Sequence, residues 1–141
     1  MSKNKYLDMD ITNLPTPAFI VDERLLKRNL ETLKSVIDRT GCKILLAQKG
    51  FSMFYFYPLI SEYLNGTTAS SLFEARLGYE EMELKNANKK LETHIFNPSY
   101  REDEFDEIME ITNHIVFNSF NQWKKFKSRV REFEEKNDKK I

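Results

Sequence analysis

The sequence predicts an α/β protein built on a parallel sheet, and three observations predict it. Segments of strand and helix character alternate along the chain. The strand starts Lys43, Gly66, Thr93 and His114 lie 23, 27 and 21 residues apart, the pitch of consecutive βα units and too short to hold a second domain. Three strand ends run into capping-box patterns, Ser71-Leu-Phe-Glu74, Ser99-Tyr-Arg-Glu102 and Ser119-Phe-Asn-Gln122.

The elements follow in order. Residues 1–13 read as a polar leader, and 14–141 as one domain. Thr16-Pro-Ala-Phe-Ile-Val21 is expected as a short strand, confined to an edge by Pro15 and Pro17. Asp22 should cap a helix whose apolar stripe is Leu26, Leu30, Leu33 and Ile37, running to about Arg39 and stopped by Gly41. Lys43-Ile-Leu-Leu-Ala47 is an almost unbroken apolar run of strand length, as expected for a parallel strand buried on both faces. A helix is predicted over Ser52 to Leu64, a short strand over Gly66 to Ala69 and a helix over Ser71 to Leu84. Strands over Thr93 to Asn97 and His114 to Phe117 alternate with helices over Glu102 to Thr112 and Ser119 to Lys136.

Composition narrows the function. The chain balances 22 Lys+Arg against 22 Asp+Glu, so no polyelectrolyte surface steers it to nucleic acid or anionic lipid. Its longest apolar run, Phe51 to Ile60, is too short to span a bilayer and is broken by Ser52 and Pro58. The single cysteine, Cys42, forms no intramolecular disulfide, which fits a reducing cytoplasm. The 11 Phe, 6 Tyr and 1 Trp supply material for a real core.

Chemistry in parallel α/β folds collects at the carboxyl ends of strands. Lys49 stands there, directly after Ile44-Leu-Leu-Ala47. An ammonium desolvated at the end of a buried strand favours its neutral amine, which attacks aldehydes to form a Schiff base. A lysine snorkelling from a strand end into solvent is the plainer reading of that position. Gly50 would let a bound cofactor approach the backbone. Glu74, three residues after Ser71, is either a site carboxylate or a capping glutamate. His94 and His114 lie near strand starts, the opposite end from the expected site, and read as structural, with no metal expected. Asn97 and Asn118 end strands, where a turn amide more often bonds local backbone than a ligand.

Five blocks carry a resemblance: Leu14-Pro-Thr-Pro-Ala-Phe-Ile-Val-Asp22, Lys43-Ile-Leu-Leu-Ala-Gln-Lys49, Gly66-Thr-Thr-Ala-Ser-Ser-Leu-Phe-Glu-Ala-Arg-Leu-Gly-Tyr-Glu80, His94-Ile-Phe-Asn-Pro-Ser-Tyr100 and His114-Ile-Val-Phe-Asn-Ser119. Together they closely resemble the carboxynorspermidine (carboxyspermidine) decarboxylase family. That family sits among the pyridoxal-phosphate-dependent barrel decarboxylases, with ornithine and diaminopimelate decarboxylases and alanine racemase as relatives. The resemblance implies the N-terminal half of a (β/α)8 TIM barrel of the alanine-racemase-like type. It also implies pyridoxal 5'-phosphate as cofactor, carboxynorspermidine or carboxyspermidine as substrate, a polyamine product, and a cytoplasmic homodimer for the complete enzyme.

Residue by residue, Lys49 matches the lysine that holds pyridoxal phosphate as a Schiff base. Ser71 and Glu74 match the relatives' Ser-x-x-Glu after the second barrel strand. Thr68 stands where several relatives carry Asp, so that Asp's role does not transfer. In the family the strand at Phe19 to Val21 belongs to a separate β-domain. A full barrel takes about 250 residues, and this stretch carries four βα units. Its glycines, Gly41, Gly50, Gly66 and Gly78, are scattered and form no phosphate-cradling loop. The phosphate loop, the carboxylate facing the pyridine nitrogen and the substrate-reading groups are therefore expected beyond Ile141, and little or no decarboxylase activity is expected from this stretch alone. The outer strands are expected as unpaired edges unless a second chain covers them. The alternatives are a non-catalytic remnant, a half that pairs with a separate chain, or a small racemase-like barrel, against which the Thr-Thr-Ala-Ser-Ser block argues.

Overall fold

The computed structural model describes residues 12–141, so most of the expected leader lies outside the described residues. Helix α1 spans Glu23–Thr40 as expected: the Asp22 carboxylate accepts from the Leu25 amide, and Gly41, at φ 70°, ends it by donating to Ile37 O. Strand β1 is Leu46–Ala47, followed by a 3-10 turn at Phe54–Phe56 and a single α-turn, α2, at Tyr57–Ile60. Then come β2 (Gly66–Ala69), α3 (Leu72–Gly78), a π-helical turn at Tyr79–Glu83 and a 3-10 turn at Leu84–Asn86. The chain finishes with β3 (Glu92–Asn97), α4 (Phe105–Ile111), β4 (His114–Phe117) and α5 (Phe120–Asn137).

The four strands form one sheet in sequence order β1-β2-β3-β4, every pair parallel. The helices cover one face of it. Ala69 and Ile95 point into that layer against Leu72, Ala75, Phe105, Ile108, Met109 and Phe126. Phe105 and Phe126 stack at 4.1 Å, and Tyr100 and Phe117 meet Phe105 edge-on and tilted. The Tyr100 hydroxyl donates to Val116 O at 2.9 Å and accepts from the Asn97 amide, and its burial pushes its pKa up to about 12. A second cluster of Leu30, Phe56, Tyr57, Ile60, Leu64 and Met82 seats α1 and α2 beside β1. By strand alternation the opposite residues, Thr68, His94, Phe96, His114 and Val116, face away from the helices, and Phe96 and Val116 are 39% and 50% exposed.

Five expectations are corrected. Thr16 to Val21 is not a strand: none of the four strands pairs with it, and Phe19 is 96% exposed. β1 is shorter than Lys43–Ala47 and is not buried on both faces: Ala47, in register with Thr68, takes the bare face and is exposed. The helix expected over Ser52 to Leu64 is broken, since Pro58 has no amide to donate backwards and is accommodated only in the first turn of α2. The helix after Ser71 leaves α geometry at Tyr79. The Ser99 box does not cap α4, whose N-cap is Glu104 without a side-chain bond. Ser99 donates its amide to Asn97 Oδ1, and Glu102 pairs with Lys125 instead. The other two boxes form: Ser71 and Ser119 accept from the Glu74 and Gln122 amides.

Candidate functional site

Lys49 lies in a tight turn at the carboxyl end of β1. Gly50 and Phe51 both return their amides to Ala47 O, at 2.9 and 3.2 Å. The residue before it fixes this turn. The Gln48 amide extends the β1–β2 ladder by donating to Thr68 O, while its buried side chain donates to Glu74 O at 2.7 Å and accepts from the Tyr57 hydroxyl at 3.0 Å. Tyr57 is fully buried, which together with the nearby Glu74 charge pushes its pKa up to about 12, so it remains a donor. Gln48 therefore ties the Lys49 turn to α3 and to the α2 core. Sequence reading missed it, although a polar residue ending an apolar strand is itself a signal.

Lys49 is exposed, so this chain does not itself supply the desolvation that the sequence reading invoked. Among the described residues its ammonium has no hydrogen-bond or ion-pair partner, which leaves it available. The residues that follow it, Gly50, Phe51, Met53, Phe54 and Tyr55, line with Val21 a largely apolar cavity of about 740 Å³. A side chain at Gly50 would meet only Ala47 O, at 3.4 Å, so the backbone does not require glycine there.

At the carboxyl end of β2, Ser71 caps α3 and Glu74 Oε2 accepts from the Ser70 amide at 2.6 Å. Both side chains are therefore engaged in capping, and the Gln48–Glu74 bond brings this end of β2 to the Lys49 turn. Asn97 makes the local turn bond expected of it, and Asn118 gives its amide to Gln122 Oε1 at 2.7 Å. A second pocket of about 480 Å³, lined by Phe117, Asn118, Ser119, Phe120 and Trp123, opens at the end of β4.

The opposite end of the sheet holds a cluster the sequence reading did not assemble. Register pairs His94 with His114, whose rings meet edge-on at 4.3 Å. Glu92 Oε2 lies 3.0 Å from His94 Nε2 and 3.8 Å from His114 Nε2, while Oε1 accepts from Lys43. Burial is the largest influence on both Glu92 and His94. It pushes His94 below its ordinary value, whereas for Glu92 the hydrogen bonds from Lys43 and His94 outweigh it and hold the carboxyl below the usual range.

No family model matches the chain. Curated proteins do. The carboxynorspermidine/carboxyspermidine decarboxylase of Campylobacter jejuni is 41% identical over 117 residues, 83% of this chain and 29% of that protein. The chain is a homologue of these decarboxylases. The enzyme of the same name from Herminiimonas arsenicoxydans is 35% identical over 115 residues, and the carboxyaminopropylagmatine decarboxylase of a Synechocystis strain 35% over 121 residues. The crystal structure of the Campylobacter jejuni carboxynorspermidine decarboxylase complexed with norspermidine superposes with a TM-score of 0.76 at 40% identity, covering 84% of this chain and 30% of that one. The chain thus spans about 30% of the length of the decarboxylases it matches. The parallel sheet described above is four βα units of such a TIM barrel, and its bare face corresponds to a barrel interior. Among the described residues no helix is long and apolar enough to cross a membrane.

Proposed function

We propose that this chain contributes the lysine-bearing part of a pyridoxal-phosphate-dependent decarboxylase that acts on carboxynorspermidine or carboxyspermidine in polyamine biosynthesis. In this reading the complete enzyme is a cytoplasmic homodimer. The observation that carries it is the exposed, unpartnered Lys49 amine, presented by a braced turn at the carboxyl end of β1, in a chain homologous to such decarboxylases. The donor set fits the cofactor in part. A free amine suits an aldehyde, and the residues that follow it line a largely apolar cavity, whereas no glycine-rich phosphate cradle occurs among the described residues.

When bound, pyridoxal phosphate supplies an electron sink for the pair released by loss of carbon dioxide. Lys49 Nζ would hold it at its aldehyde carbon until the substrate amine takes that place. Gln48 keeps the turn in place through its bonds to Glu74 O and the Tyr57 hydroxyl, and the high Tyr57 pKa keeps that donor protonated across the working range. Ser71 and Glu74 fix the start of α3, which the Gln48–Glu74 bond ties to the turn. These roles bind and orient. The carboxylate facing the ring nitrogen and the groups that read the polyamine are not among the residues assigned here.

Borohydride reduction in the presence of pyridoxal phosphate, followed by peptide mapping, tests the reading. The phosphopyridoxyl label is expected on Lys49 in preference to the other lysines. Label spread evenly over exposed lysines overturns the assignment of the amine, and the homology remains unaffected.

A further inference from the structure

We propose that Glu92, His94 and His114 form a zinc-binding site at the amino ends of β3 and β4, the end of the sheet opposite Lys49. The backbone itself assembles the ligands. Parallel strands lie about 4.8 Å apart, and the register places His94 directly beside His114. Alternation then returns Glu92, two residues before His94, to the same face. No loop has to move to bring the three together.

The spacing suits a small cation. One ligand atom from each residue lies within 4.8 Å of the others, with Glu92 Oε2 at 3.0 Å from His94 Nε2 and 3.8 Å from His114 Nε2. Tetrahedral zinc with bonds of about 2.1 Å sets its ligands about 3.4 Å apart, so rotamer adjustments of a few tenths of an ångström to about an ångström close the site. Imidazole and carboxylate are donors zinc favours, and three protein ligands leave a fourth position for water.

The surroundings hold the ligands as a metal site requires. Lys43 engages Glu92 Oε1 and so directs Oε2 toward the imidazoles, the outer-shell arrangement that fixes a ligating carboxylate. The Lys43 charge opposes the cation, so the site balances orientation against repulsion. A metal here would pin the starts of β3 and β4, and Lys43 would couple them to the segment entering β1.

The chain has two histidines, both in this cluster, and one cysteine, which makes the test clean. Zinc chloride is titrated into this chain carrying Cys42→Ser, followed by the imidazole nitrogen resonances and by competition with a chromophoric chelator. One equivalent should shift both imidazoles together. His94→Gln and His114→Gln should each weaken binding by more than about tenfold, at least the loss caused by removing an outer-shell partner, with far-UV circular dichroism unchanged. Zinc that shifts one imidazole or neither, or that binds the histidine variants as tightly as the parent, overturns the site and leaves Glu92 as an ion-pair hub only.

Discussion

The two faces of the sheet do different work although the same strands build them. The helix-covered face holds Ala69, Ile95 and the Tyr100, Phe105, Phe117 and Phe126 aromatic group, and it carries the stability of this half of the core. The bare face presents Thr68, His94, Phe96, His114 and Val116, with Lys49 beyond its carboxyl end and the Glu92 cluster at its amino end. Burial lies on one side, and the groups proposed to bind ligands lie on or beyond the other. Substitutions on the two faces should therefore separate stability from ligand binding.

The sharpest break is in the covered face. Phe105→Ala removes a fully buried ring stacked on Phe126 and should cost about 3–5 kcal/mol, read as a shift of the urea midpoint. Gly78→Ala tests how closely α3 lies on β2. Its methyl would stand 2.2 Å from Thr67 Oγ1, an overpacking expected to cost about 1–3 kcal/mol in the same measurement.

Gln48→Ala joins the two faces. It leaves the buried Tyr57 hydroxyl and Glu74 O without their partner, at about 1–3 kcal/mol, and should also reduce phosphopyridoxyl labelling of Lys49. A stability loss with labelling untouched would show that Gln48 braces the core without positioning the turn.

The bare face should show itself in pH dependence. His94 binds its proton more weakly folded than unfolded, so the stability it contributes is complete above its ordinary value of 6.5 and declines as pH falls from there to the folded value. Glu92, also lowered, gives up its share at lower pH, below its ordinary value of 4.5. Thermal midpoints measured from pH 8 to 4 should fall in that order, and His94→Gln should remove the upper phase and, by taking away one of the bonds that hold Glu92 low, shrink the lower one. Lys49→Ala is the smallest perturbation of stability, within about 0.5 kcal/mol for an exposed, unpartnered side chain. It should nevertheless abolish site-selective labelling, and a large loss of stability would mean that Lys49 has a structural role.

Much of the fold was legible in the sequence, because local signals set it. Asp22 and Gly41 bound α1, Ser71 and Ser119 cap their helices, and the alternation of apolar runs at βα pitch specifies a parallel sheet. The position of Lys49 at the end of β1 was legible for the same reason, since a strand end is a position along the chain. The resemblance then supplied its expected partner chemistry.

What the tertiary structure decided depends on contacts between segments distant in sequence. Lys43–Ala47 reads as a doubly buried strand, but burial on the second face needs a covering layer, and Ala47 takes the bare face. Thr16 to Val21 has strand composition without a strand to pair with. Gln48 becomes the brace of the Lys49 turn only because α3 brings Glu74 O within 2.7 Å. Glu92, His94 and His114 are separated by up to 22 residues and become neighbours only through the β3–β4 register. Sequence periodicity fixes which face of a strand a side chain takes, whereas register and sheet order fix what that side chain meets.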